Sequence, residues 1–128
     1  MAESKLKPQA GSTLSPKIVV DTHDIATTGN QAITGVGFTP KAYQVFFNIE
    51  ATGSISWGLY DGTLAICTYQ TATDGDFGNY VATYIALLYT SAGVFARATP
   101  VSMDADGITI NWTKTGSPTG TVEIGLIC

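Results

Sequence analysis

Residues Ile33 to Phe47 read ITGVGFTPKAYQVFF, and this stretch decides the fold class. From Ala42 to Ala51, large apolar residues occupy every second position: Tyr43, Val45, Phe47 and Ile49. A period of two is that of a β-strand with one buried face. Pro40 restricts φ just before this strand, and Gly35 and Gly37 permit backbone angles that other residues rarely adopt. The stretch therefore predicts a turn-rich connection that leads into a core strand.

The next segment, SISWGLYDG from Ser54 to Gly62, continues the pattern. Asp-Gly between two apolar runs is a strong hairpin signal, so a second strand should end near Tyr60. Large apolar residues lie on one face of this strand and small ones on the other. We expect the large ones to face the core: Ile55, Trp57 and Leu59.

Further strands follow towards the end of the chain. Val81 to Tyr89 is apolar on both faces, so it should be covered by the core and by a second sheet or a neighbouring subunit. Val94 to Met103 contains Pro100, which indicates an edge strand or a break. Residues 108–114 and 121–128 alternate again and direct Trp112 inward.

Together these signals predict an all-β chain of about eight short strands. We expect an antiparallel β-sandwich or a jelly-roll-like barrel, with residues 18–128 as a single domain. Residues 1–17 show no period of 2 or 3.6 and include two prolines, so we expect an extended N-terminal arm.

The composition favours self-association. Hydrophobic residues make up 45% of the chain and charged residues 12%, against about 25% charged in typical domains. Burial of apolar surface between subunits would resolve the shortage of solvating charge. Residues 42–128 carry Arg97 and Lys114 against seven acids, a net charge of −5. Such an acidic body is a poor binder of nucleic acid, and we expect none.

The chain has no apolar run long enough for a membrane span and no signal-peptide pattern at its start, so we expect cytoplasmic synthesis and no membrane contact. Its two cysteines, Cys67 and Cys128, imply no disulfide framework. We expect reduced thiols that behave as small hydrophobic groups.

No catalytic constellation is evident. The single histidine, His23, lies between Asp21 and Asp24 without a nucleophile motif, and we interpret it as a solvated turn residue. Two acidic stretches resemble incomplete calcium loops, Asp74 with Asp76 and Asp104 with Asp106, but both lack the closing Glu. We therefore expect no enzyme activity, no cofactor and no metal site.

Three segments carry a resemblance to a known class: AITGVGFTPKAYQVFF, SISWGLYDGT and DADGITINWTKTG. Together they resemble a pattern in small β-structured virion proteins of tailed bacteriophages. In that pattern a "GVGF-PKA" turn leads into an apolar strand, a "G-DG" hairpin follows, and a "DG-T-NW" strand lies near the end. The resemblance covers roughly residues 30–62 and 104–128, and residues 63–103 have no counterpart in it.

The resemblance implies a structural component of the virion and no catalytic residues. The short chain favours a capsid decoration (cement) protein, a homotrimer that binds the major capsid protein or another virion protein. The alternative is a tail fibre or appendage domain that binds a host receptor or glycan. We expect partner contacts from Lys5, Lys7, Leu14 and Lys17 in the arm, and from Tyr80 under the glycan alternative.

Overall fold

The structure is a computed structural model that describes residues 15–70, 77–81 and 83–128, without the side chains of residues 77 and 79–81. Ten β-strands and no helix lie in these ranges. The strands are β1 (Ile18–Asp24), β2 (Gly29–Thr34), β3 (Tyr43–Ile49), β4 (Ser54–Tyr60), β5 (Ala65–Gln70), β6 (Phe77–Val81), β7 (Ala86–Ser91), β8 (Val94–Asp104), β9 (Gly107–Thr115) and β10 (Thr121–Ile127).

The strands form two antiparallel sheets that pack face to face. One has six strands in the order β1-β10-β3-β4-β5-β6, and the other has four in the order β2-β9-β8-β7. The all-β fold class is confirmed, as a β-sandwich with ten strands in place of about eight. No helix in the described ranges has the length and apolarity that a membrane crossing requires.

The core lies between the sheets and is built mainly by β3, β9 and β10. The predicted alternation of β3 is confirmed, since its four inward side chains are buried. Trp112 of β9 is 1% exposed and meets Phe47 edge to face, with ring centroids 5.7 Å apart. Such aromatic pairs combine large apolar burial with a defined ring geometry.

The connection from β2 to β3 is held by the turn between β8 and β9. Gly35 and Gly37 have φ angles of 102° and 87°. Their N–H groups donate to the Asp106 carboxylate, at 3.2 Å and 2.6 Å. Val36 between them is buried, and its N–H donates to the Asp106 carbonyl. Glycine is needed here because the backbone must turn both amides towards one carboxylate.

The expectation of one strand from Val81 to Tyr89 is wrong. The chain bends at residues 83 and 85, and β7 pairs with β8 in the other sheet. Residues 85–88 are nevertheless all buried within a single chain. The strand with two apolar faces is thus covered without a neighbouring subunit.

Pro100 does not place β8 at an edge, because β8 lies between β9 and β7. The register with β9 shifts between Pro100 and Ser102. A bulge at this point accommodates a residue that cannot donate a ladder hydrogen bond. The predicted break is therefore only an irregularity, and strand β8 continues through Pro100.

Candidate functional site: an exposed apolar sheet face

The orientation of β4 is opposite to the one that the sequence pattern predicts. Ile55, Trp57 and Leu59 point outward and are 43%, 42% and 42% exposed. The expectation that they face the core is therefore wrong. Ser54 and Ser56 point inward and are buried.

The reason is the close approach of β7 to the inner side of β4. A Cβ atom on Gly58 would overlap the backbone carbonyl of Ile85. The Ser56 hydroxyl donates to the Thr68 carbonyl at 2.9 Å and accepts the N–H of Leu87 at 3.2 Å. Only small residues fit at these positions, so the large residues of β4 lie on the outer side.

The outward residues of β4 belong to an apolar surface that spans four neighbouring strands, β1, β10, β3 and β4. Ile18 and Val20 of β1 are 66% and 73% exposed, and Phe46 of β3 is 45% exposed. Strand register places Val20, Gly125, Phe46 and Trp57 in one row across the sheet. We call this surface the apolar face; it comprises Ile18, Val20, Phe46, Ile55, Trp57 and Leu59.

Phe46 and Trp57 form the centre of the apolar face. They are cross-strand partners, with ring centroids 5.5 Å apart and ring planes within 3° of parallel. Cross-strand aromatic pairs of this kind fix each other's orientation. Two large rings are thus held in place on the surface before any partner binds.

A depression of about 560 Å³ lies on the apolar face beside this pair. Its floor includes Gly125 in β10, where a Cβ atom would meet no other heavy atom within 4 Å. Val20 and Ile55 line it with the two rings, and its polar lining includes Asn48, Thr68, Gln70 and Glu123. The missing side chain of Gly125 therefore leaves room for an apolar group from outside.

A second depression, of about 560 Å³, lies at the other end of the same sheet side. It is lined by Pro16, Leu59, Leu64, Ile127 and Cys128, among others. Burial raises the pKa of the Cys128 thiol, which stays protonated at neutral pH. No lysine or arginine among the described residues lines either depression.

The interpretation of His23 as a solvated turn residue is wrong. It lies on β1, half-buried, with its ring stacked on Trp112 at 4.5 Å and 6°. Burial lowers the pKa of His23, against the opposing effects of the Thr27 carbonyl, Asp24 and Asp21. Its ring nitrogen Nε2 lies 3.3 Å from that carbonyl. The geometry is that of a packed aromatic ring.

The two acidic residues at the β8–β9 turn accept hydrogen bonds from neighbouring parts of the chain. Asp104 accepts hydrogen bonds from the hydroxyls of Ser102 and Thr109, at 2.7 Å and 2.6 Å, and these bonds lower its pKa. Asp106 accepts the glycine amides described above. In the part of the chain that the structure describes, no three His, Cys, Asp or Glu side chains could share a metal ion. Asp74 and Asp76 lie outside the described residues.

The predicted partner-binding residues are only partly visible. Lys5, Lys7 and Leu14 lie outside the described residues. Lys17 is exposed, and its backbone pairs with that of Cys128 through two 3.0 Å hydrogen bonds. The backbone of Tyr80 pairs with Cys67 in the β5–β6 ladder, and the structure does not describe its side chain. Cys67 is buried and Cys128 is half-buried, and the expectation of reduced thiols stays a prediction.

Sequence reasoning missed the apolar face, although two signals pointed to it. Phe46 and Phe47 are adjacent in β3, so one of them must leave the core. The run Ile18-Val19-Val20 in β1 has the same consequence. Gly125 carries no such signal, since a glycine in a strand is usually interpreted as a weak point or a bulge.

The fold and this surface define the class: an all-β sandwich with an exposed apolar sheet face. No protein family matches the chain, and comparison with curated proteins and with solved structures finds no match either.

Proposed function

We propose that this chain is a structural virion protein of a tailed bacteriophage, a capsid decoration protein that binds and reinforces the shell as a homotrimer. The observation that carries the proposal is the apolar face on a chain with only 12% charged residues. A soluble monomer rarely leaves such a surface in water. The motifs behind the resemblance also support the proposal, because Asp106 of DADG binds the amides of GVGF.

The mechanism is stabilisation by avidity. Three arms on one trimer would each make a weak contact with the capsid, and the trimer would hold the second and third close to their sites. Lys5, Lys7, Leu14 and Lys17 supply the basic and apolar groups for these contacts. Lys17, at the start of the described chain, is anchored to the C-terminal residue, so an arm would leave the sandwich at a fixed point.

The test is attachment to capsids that lack their decoration protein. The full chain and a Lys5→Ser, Lys7→Ser variant are incubated with expanded shells and sedimented, with Lys41→Ser as the matched control. Lys41 is exposed and lies within the β2–β3 connection. We expect the native chain and the control to sediment with the shells and the arm variant to bind at least tenfold more weakly. Absence of the native chain from the shells would refute the capsid function.

The alternative, a tail fibre or appendage domain that binds a glycan, rests on a cluster of aromatic rings beside β6. Tyr69 lies 5.8 Å from Tyr89, and Tyr89 lies 4.9 Å from Phe95. The Arg97 guanidinium lies 4.9 Å from the centre of the Tyr84 ring. Aromatic rings with a polar edge suit contacts with polar ligands. Binding on a glycan array that Tyr80→Ala abolishes would favour this alternative.

A further inference from the structure

We infer that the apolar face is the surface through which copies of this chain contact one another, and that the depression above Gly125 receives an apolar side chain of the neighbouring copy. This inference rests on the proposed function as far as the trimer is concerned. Beyond that function, it identifies the contact surface, the centre of the contact and a second copy of this chain as the partner.

The size of the apolar face fits an interface between subunits. Six large side chains, about half exposed or more, leave on the order of 100 Å² each accessible. The total approaches the roughly 800 Å² per partner of a standard protein interface. It also reaches the upper limit of the apolar patches that monomers expose.

The apolar face is not needed to complete the core of its own chain. Its strands already bury their opposite side chains, including Val45, Phe47 and Ile124, against the second sheet. Outward Ile, Phe and Trp make cross-strand contacts, such as that of Phe46 with Trp57, but they add nothing to the packing between the sheets. The apolar surface that they leave exposed lowers the free energy only when an outside surface covers it.

The distribution of charge directs a second copy to the apolar face rather than to the rest of the surface. The chain carries a net charge of −4, so two copies repel each other over most approaches. Glu123 is the charged residue that lines the first depression. Contact through the apolar face would keep most like charges apart and desolvate few of them.

The apolar face does not suit a small ligand or the N-terminal segment as its occupant. The four neighbouring strands that carry it span about 15 Å at the normal strand spacing. This width suits a protein surface better than a small ligand. Residues 1–14, MAESKLKPQAGSTL, offer only Met1, Leu6 and Leu14 as large apolar groups. That segment cannot match six large side chains with its own.

The Phe46–Trp57 pair beside Gly125 is the expected centre of the contact. Trp is enriched among the residues that dominate interface energies, and a ring held in place by its neighbour loses little freedom on binding. Gly125 lies next to Phe46 in the ladder and is open above its Cα atom. A side chain placed there would occupy the depression without disturbing its own chain.

The experiment compares three full-length variants by sedimentation velocity over a micromolar concentration series. Trp57→Lys places a charge in the centre of the apolar face, and Gly125→Thr fills the depression. Thr113→Lys, the matched control, places the same charge on the exposed side of β9 in the other sheet. Thermal unfolding of each variant confirms that it is folded, and Gly125→Thr keeps the test valid if Trp57→Lys fails to fold.

We expect Trp57→Lys and Gly125→Thr to weaken self-association about tenfold or more, and Thr113→Lys to leave it unchanged. A native chain that remains monomeric, or one whose association neither face variant weakens, would overturn the inference. Failure of a correctly assembled oligomer to bind capsids would instead refute the proposed function and leave this interface in place.

Discussion

Asp106 and Gly37 lie 69 residues apart, yet the Asp106 carboxylate accepts the Gly37 N–H at 2.6 Å. This bond joins the β8–β9 turn to the loop that leads into the central strand β3. A carboxylate that accepts two backbone amides stabilises a loop more strongly than a neutral acceptor does. The two motifs that are most distinctive in the sequence therefore form one structural unit.

Asp106→Ala should destabilise the fold by about 1–2 kcal/mol, because Gly35 and Gly37 lose a charged acceptor. Chemical denaturation measures the change in unfolding free energy. Glu50→Ala, at an exposed acid in the β3–β4 turn, is the control and should stay near the native value. Equal stability of the two variants would contradict the role assigned to Asp106.

Two strand glycines should respond in opposite ways to alanine. Gly58→Ala places a methyl group against the Ile85 carbonyl and should cost about 3 kcal/mol, since the backbone just before β7 must move. Gly125→Ala enters open space and should be neutral or slightly stabilising, because it reduces the freedom of the unfolded chain. Thermal unfolding of both variants compares them directly; a larger loss at Gly125 would show that the sheet faces are assigned wrongly.

His23 should make the stability depend on pH near neutrality. Burial lowers its pKa in the folded chain, so the unfolded chain takes up the proton first as the pH falls. Stability should therefore be constant above the unfolded value of about 6.5 and decrease below it, down to the folded pKa. His23→Phe keeps a ring against Trp112 and should flatten the part of the curve that lies below about pH 6.5.

Denaturation midpoints over this range, native against His23→Phe, supply the comparison. The acids with lowered pKa, Asp61 and Asp104, lose their contribution only when the pH falls below about 4. A native curve that is already flat from neutrality downwards would show that the His23 ring is as solvated when folded as when unfolded.

The two tryptophans should differ in their access to iodide. Trp112 is 1% exposed and Trp57 is 42% exposed in the single chain. If copies associate through the apolar face, Trp57 fluorescence is protected in concentrated protein and becomes quenched on dilution. The variant Trp57→Phe, which reports Trp112 alone, should be weakly quenched at every concentration. Strong quenching of Trp57 at all concentrations would place it outside any contact.

The sequence predicted the fold class because most strands follow the simple rule of alternation. Strand β3 obeys it fully, and so does Trp112 in β9. The rule failed at β4. Its large apolar residues alternate with small ones, and the rule assigned the large residues to the core, although they lie on the outer face. The orientation is decided by the backbone of Ile85, just before β7, which lies against Gly58. No local sequence pattern encodes this contact.

The break between β6 and β7 was missed for a related reason. Residues 81–89 are apolar except for Thr83, and an almost unbroken apolar run does not show where a chain leaves one sheet for another. The apolar face could have been inferred from Phe46-Phe47 and Ile18-Val19-Val20, where adjacent apolar residues must point in opposite directions. The depression at Gly125 could not, because it depends on the neighbours that Gly125 acquires in the sheet.

The central claim is that the apolar face joins copies of this chain, and sedimentation equilibrium of the native chain at micromolar concentration tests it most directly. The account predicts a mass of about 40 kDa, three times the 13.4 kDa of one chain. A mass of 13.4 kDa throughout the concentration series would contradict it.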